Sequence, residues 1–240
     1  MKYLTLIALL FSGFSVQAED SDSSSEQKIA YKLSFSDYTA DKLHAVDLNL
    51  RGTIENQTAW LAYYRDDFSG FEQTRTGYER KDKSDWYKVT SSLQAATHGF
   101  VGVALTAELG GPVHGIVGYG RTNLRPYDNI NFDPNDAITY GAGWEIKEGE
   151  DISLYRVRDN RVVKGQEIDH LLVHFPFGDD KTIVDIFNKS GPPDTDGKPI
   201  HGTGAALTYE WPKYFVRAAY DPKVNFSQAH MTRLSIGIYF

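Results

Sequence analysis

The sequence predicts an all-β protein, a closed antiparallel up-and-down transmembrane β-barrel of about fourteen strands over residues 28–240. Two observations carry this. From residue 28 onward apolar side chains recur with a period of two along stretches of about ten residues, the length a tilted strand needs to cross a bilayer. The first 18 residues, in addition, have the layout of an export signal.

Composition narrows the classes first. The 240 residues are 41% hydrophobic, 24% charged and 13% aromatic, enough material for a sizeable domain. With no cysteine there is no disulfide scaffold, no Cys-ligated metal and no lipid anchor on cysteine. A formal charge of −7 argues against nucleic acid as a partner, since that needs a basic face.

The elements follow in chain order. Met1-Lys2-Tyr3 carries a positive charge, Leu4 to Val16 is mostly apolar, and Val16-Gln17-Ala18 offers a cleavage site. The run is shorter than the ~20 apolar residues of a spanning helix. Residues 1–18 are therefore expected to leave as a signal peptide, giving a mature chain that starts at Glu19. Residues 19–27 (EDSDSSSEQ) are acidic and Ser-rich, and are expected to form a disordered tail.

Strands are expected at 28–38, 42–54, 58–67, 71–81, 86–96, 99–110, 113–123, 137–148, 151–160, 168–177, 181–189, 202–211, 214–222 and 230–240. Alternation is clear in most. Ile29, Tyr31, Leu33 and Phe35 share one face, as do Val46, Leu48 and Leu50. Val101 to Leu109, Ile138 to Ile146 and Ala205 to Trp211 repeat the pattern. A soluble sandwich would turn these faces inward, and a membrane barrel turns them to lipid. Strand length favours the barrel, as do Trp144, Tyr209, Trp211 and Tyr214 at or near strand ends, where interfacial girdles sit.

Two strands fit poorly. Residues 71–81 (FEQTRTGYERK) offer no clear lipid face. In 151–160, turning Ile152 and Leu154 outward also turns out Arg156 and Arg158, at about 2–4 kcal/mol each near the midplane. A bulge, or a register with Ser153, Tyr155 and Val157 outward, would avoid this. Fourteen is an even count that returns both ends to one side, and twelve is the alternative. The connections at 55–57, 111–112, 149–150 and 212–213 are tight, whereas 124–136 and 190–201 are long and fall on the opposite side.

The final segment, MTRLSIGIYF, places Leu234, Ile236, Ile238 and Phe240 on one face and Arg233, Ser235 and Gly237 on the other. It resembles the terminal strand of bacterial outer-membrane β-barrel proteins, small porin-like barrels among them. That resemblance implies a Gram-negative outer-membrane location, surrounding outer-membrane lipids, and reading of Leu234, Ile236, Ile238 and Phe240 by the barrel-assembly machinery.

Function in a barrel sits in the lumen. Expected lining residues are Arg51, Lys88, Glu108, Glu145, Lys147, Asp185, Glu210, Arg217 and Arg233, with Lys32, Lys181, Asp47 and Asp221 beside them. The seven cations and six anions nearly balance, which does not suit a strongly ion-selective pore. His170 and His174 share the inward face of IDHLLVHF. At ~3.3 Å per residue they stand about 13 Å apart, too far to share a metal. They are the weak catalytic candidates, with Ser153 as a nucleophile to test against them.

The outer loops carry Asp128, Asp133 and Asp136, and Asp194 and Asp196, but without the spaced ligands of a calcium loop. GIVGYG (115–120) lacks the strand-to-helix setting of a nucleotide site. No metal and no cofactor is expected. The sequence thus points to a monomeric passive channel for small polar solutes. A lipid-modifying hydrolase and a closed structural or adhesive barrel are the alternatives, and an enzyme is the less expected outcome.

Overall fold

The computed structural model describes residues 28–127, 133–194 and 197–240. The expected signal peptide (1–18) and tail (19–27) lie outside the described residues, as do Asp128 and Asp196. Fourteen strands form one closed antiparallel barrel in sequence order. They are β1 (Ala30–Ala40), β2 (Leu43–Ile54), β3 (Gln57–Asp66), β4 (Glu72–Ser84), β5 (Tyr87–Ala96), β6 (Phe100–Gly110) and β7 (Val113–Thr122). The second half holds β8 (Ala137–Lys147), β9 (Glu150–Asp159), β10 (Glu167–Phe177), β11 (Asp180–Gly191), β12 (Ile200–Glu210), β13 (Tyr214–Pro222) and β14 (His230–Tyr239).

The count is fourteen, not twelve, and closure runs through the two terminal strands. Leu33 pairs with Ile238 and Phe35 with Ile236. Tyr31 and Phe240 exchange backbone hydrogen bonds of 2.7 and 3.0 Å, and their rings stack at 5.5 Å. A closed sheet leaves no edge of unpaired N–H and C=O groups, the condition for a sheet to sit in hydrocarbon.

The two ends differ. At one, here the turn end, the connections are two or three residues long, and Gly149 (φ +78) and Gly178 (φ +65) take backbone angles that L side chains rarely adopt. At the other, the loop end, lie the long connections 123–136, 160–166, 192–199 and 223–229.

Alternation sorts every strand into an outer and an inner face. Outward are Leu48, Leu50, Leu61, Val103, Leu105, Val117, Leu154, Leu207, Leu234 and Ile236, each more than 40% exposed. Side chains of this kind, exposed in a continuous belt, mark a surface matched to an apolar solvent. Exposed aromatics border the belt on both sides. Tyr63, Tyr119, Tyr140 and Tyr220 lie towards the loop end, and Tyr31, Trp86, Trp144, Trp211 and Tyr214 towards the turn end.

The two poorly fitting strands resolve without a flip. β4 turns Gln73, Arg75 and Glu79 inward and Thr74, Thr76 and Tyr78 outward. Its outer hydroxyls are satisfied locally, Thr76 Oγ1 donating to the Trp60 carbonyl (2.9 Å) and Tyr78 Oη to Gln57 Oε1 (2.6 Å). In β9 Ser153 and Val157 are buried on the inner face, so Arg156 and Arg158 point outward. Arg156 is bidentate to Asp169 (2.6 and 2.8 Å), and both arginines reach Glu167 on β10. Placement within a few residues of the loop end and neutralisation by two carboxylates remove most of the cost of lipid exposure.

Inside, large rings pack against glycines on the adjacent strand: Trp60 at Gly77, Phe187 at Gly204 and Phe215 at Gly237. A β-carbon at any of these glycines would collide with its neighbour, so the glycines are the sockets into which the lumenal rings pack.

Candidate functional site in the barrel lumen

The inner wall has two parts. Towards the turn end it is an accessible vestibule lined with charge. Lys88 Nζ donates to Glu108 Oε1 (2.7 Å), His174 Nδ1 lies 2.9 Å from Asp151, and Lys32 Nζ is 3.9 Å from Glu210 and 4.0 Å from the centre of the Phe215 ring. These side chains keep between 20% and 43% of their surface exposed, as a wetted wall requires. Arg51 stands over Trp60, 5.7 Å from its ring centre.

Towards the loop end the interior is filled. Arg75 donates to Asp47 in a buried ion pair, with its guanidinium 5.6 Å from the centre of the Tyr64 ring. Arg233 sits 5.8 Å from the Tyr38 ring, and Ser36 donates to Ser235 (2.7 Å). Lys189 and Asp221 form a second buried pair, the ammonium lying between the Phe187 and Phe226 rings at 5.7 and 5.8 Å. Tyr38, Ala45, Tyr64, Ile168, Phe187, Ile200, Phe226 and Met231 make up a dry cluster there. Buried ions of this kind are tolerated only as partners, because removing one leaves the other uncompensated.

The connection between β7 and β8 enters this lumen. Gln73 Nε2 donates to the Pro126 carbonyl (3.3 Å), and Tyr127 stacks on Phe100 at 4.0 Å while its hydroxyl donates to Gln94 (3.3 Å). On the far side Asp133 lies 3.1 Å from His170 Nε2. Gln73, Gln94 and Phe100 belong to β4, β5 and β6, and His170 to β10, so the two described ends of the segment are bound to separate parts of the wall. The described aspartates of this outer loop are engaged by the protein itself. Asp133 is bound to the wall, and Asp136, 3% exposed, accepts from Thr122 (2.5 Å) and Arg161 (3.0 Å). Asp133 thus serves the His170 ring, and Asp136 serves Thr122 and Arg161. Among the described residues no three His, Asp or Glu side chains gather as a metal site.

His170 is the hinge of that contact. Nδ1 is 3.0 Å from Asp185 and Nε2 is 3.1 Å from Asp133, and the ring stacks on Tyr155 at 4.7 Å with an interplanar angle of 7°. A neutral imidazole donates from one nitrogen only, so two carboxylates suit the doubly protonated ring. With both nitrogens held there is no lone pair for a general base. His174 is held separately by Asp151, and the two histidines do not meet. Ser153 pairs with Leu172 between them, and its hydroxyl faces Gly143 beside the His114 ring rather than either histidine.

Most of the residues expected in the lumen share the inner face. Glu108 faces Lys88, Glu145 faces Asp151, and Asp185 meets His170. Glu210 faces Phe215 and lies near Lys32, and Arg217 is opposite Ser235. Arg51 and Arg233 lie as described above. Lys147 departs from the pattern. A register shift between Glu145 and Lys147 breaks the alternation, and its ammonium bonds Glu150 at the start of β9 (2.8 Å). Leu234, Ile236, Ile238 and Phe240 are exposed on the outer face of β14. Sequence reasoning passed over Arg75, Lys189 and the inward role of Asp133. Arg75 sat in a strand with no visible face, although turning its charged members inward would have set the register.

No protein-family model matches the chain, and no curated protein matches it. Among solved structures, the outer membrane protein Omp33 of Acinetobacter baumannii superposes with a TM-score of 0.58 at 11% identity, over 89% of this chain and 99% of Omp33. The chain shares the barrel fold of Omp33. Mutants of Rhodopseudomonas blastica porin align with a TM-score of 0.44 at 11% identity, over 89% of this chain and 99% of theirs. The barrel joins a charged vestibule at the turn end to a loop half filled by its own side chains and by the described ends of the 123–136 segment.

Proposed function

We propose that this chain is a narrow channel of the bacterial outer membrane, carrying small polar solutes by passive diffusion. The observation that carries the reading is the inner wall. A closed barrel whose outer face is an apolar belt and whose inner face presents Lys32, Lys88, Glu108, Asp151, His174 and Glu210 to water is built to hold an aqueous path. The neighbouring cations and anions favour solutes filtered by size over strong selection by charge. The resemblance of the closing strand, and the likeness to an outer membrane protein, support the location. Outer-membrane lipids would then surround the belt, and the barrel-assembly machinery would read Leu234, Ile236, Ile238 and Phe240.

Single-channel recording of the refolded mature chain in a planar bilayer tests this. Stable steps whose size scales with salt are the expected result, and silence from demonstrably folded protein overturns it. The second reading, a closed structural or adhesive barrel, is favoured by the burial of Tyr38, Tyr64, Gln73 and Arg75, each no more than 2% exposed across the loop half.

A further inference from the structure

The outer surface carries an arginine group that the lumen does not use. Arg121 ends β7, and Arg156 and Arg158 lie on β9, with Arg161 just beyond it. The first three leave the barrel wall outward, beside Val103, Tyr140 and Ile138 respectively. Arg121 Nη1 donates to Asn160 Oδ1 (2.5 Å), two residues above Arg158, so its side chain lies across the top of β8 towards β9. Its guanidinium also rests on Tyr119, 4.4 Å from the ring centre.

The arginines are unequally engaged. Arg156 is consumed by its own protein, bidentate to Asp169 and bonded to Glu167 (3.0 Å). Arg161 is held by Asp136 and the Thr122 carbonyl. Among the described residues Arg158 uses Nε alone, on Glu167 (3.2 Å), and its side chain is 48% exposed, while Arg121 uses Nη1 alone. Two forked guanidinium groups therefore present further N–H donors on the outer face near the loop end, on β7 and β9 with β8 between them. Below Arg121 and below the ion-paired Arg156 the surface is apolar, with Tyr119, Tyr140, Val117 and Leu154 between 42% and 63% exposed. Cationic forks above an aromatic and aliphatic strip match a molecule with phosphate at its head and acyl chains beneath.

We infer that Arg121 and Arg158 form a clamp for the phosphate of an anionic lipid headgroup in the leaflet at the loop end. Arg156 is the positioning residue, locked by Asp169 and Glu167 so that β9 presents Arg158 outward. The inference rests on the outer-membrane reading above, which places that leaflet at the cell surface. Phosphate oxygens accept from planar guanidinium groups two at a time, and continuity with the lipid belt selects a membrane lipid over a soluble anion.

The test is native mass spectrometry of the refolded mature chain in detergent with a bis-phosphorylated glucosamine lipid (lipid A). Wild-type protein is expected to retain the lipid, and to retain far less of its dephosphorylated form. The Arg121→Gln/Arg158→Gln double variant is expected to lose about tenfold or more in retention. Arg65→Gln, at an outward arginine on β3 already paired with Asp67 and Glu72, is expected to match wild type. Circular dichroism and the heat-dependent gel shift establish that each variant is folded. Equal retention by the double variant, equal binding of the dephosphorylated lipid, or full displacement by inorganic phosphate would each overturn the clamp. Both arginines lie outside the bore, so conductance is unchanged in the double variant. A silent wild type that still discriminates phosphate removes the channel and keeps the clamp.

Discussion

The contact of His170 with Asp133 is the point at which the inserted segment can be loosened on purpose. Asp133→Asn removes the charge opposite His170 Nε2 but keeps the size of the side chain. A hydrogen bond between charged partners contributes about 1.5–3 kcal/mol, and His170 is 4% exposed, so water replaces the lost partner poorly. A loss of about 2 kcal/mol shifts the balance between seated and released segment roughly thirtyfold. His170→Ala goes further, because it leaves Asp133 and Asp185 without the cation that joins them. Single-channel traces should show more time at high conductance in the order His170→Ala, Asp133→Asn, wild type. His174→Ala, whose ring bonds Asp151 on the neighbouring strand and not the segment, should leave gating unchanged. If Asp133→Asn and His170→Ala conduct as wild type does, or if His174→Ala alters gating as strongly, the segment is not held by this contact and the reasoning fails.

Three further outcomes follow from the barrel itself. Gly237→Ala would drive a β-carbon into the Phe215 ring and to within 2.6 Å of the Leu33 carbonyl, costing about 1–3 kcal/mol in urea unfolding, whereas Gly115→Ala meets only one atom at 3.9 Å and should be near neutral. Ile236→Arg, in the belt on β14, should cost about 2–4 kcal/mol, and Thr232→Arg on the same face near the loop end no more than about 1 kcal/mol; equal costs would mean that the belt is misplaced. Phe240→Ala removes the ring stacked on Tyr31 and should lower assembled protein in cells while refolding in detergent micelles persists, which fractionation and the heat-dependent gel shift measure separately.

The barrel was legible because its period is local. In β14 the alternation of Leu234, Ile236 and Ile238 with Arg233, Ser235 and Gly237 is complete within ten residues, and both the lipid belt and the lumenal wall follow from it. Where local pattern failed, pairing supplied the answer. Arg156 and Arg158 looked too costly outside until Glu167 and Asp169 arrived from the next strand, in register. Arg75 had no visible face until Asp47, 28 residues earlier, was placed opposite it across the inner wall. A register shift of one residue in β8 was enough to remove Lys147 from the wall.

The filled loop half was not legible at all, and the reason is physical. Residues 123–136 have no period, and their composition reads equally well as a solvated loop. What draws the segment inward is a set of partners that no short window contains: Gln73 lies 53 residues before Pro126, and His170 lies 37 residues after Asp133. The barrel must close before these partners face one another. Once it has closed, Asp185 and Tyr155 already hold His170 edge-on to the bore, and a further carboxylate is the group that satisfies its second nitrogen. The wall therefore selects the segment, through a histidine whose place is fixed by Tyr155 on β9 and Asp185 on β11. Width at the loop end depends on contacts between residues 37 and 53 positions apart, which is why the charge of the lumen could be read from the chain and its aperture could not.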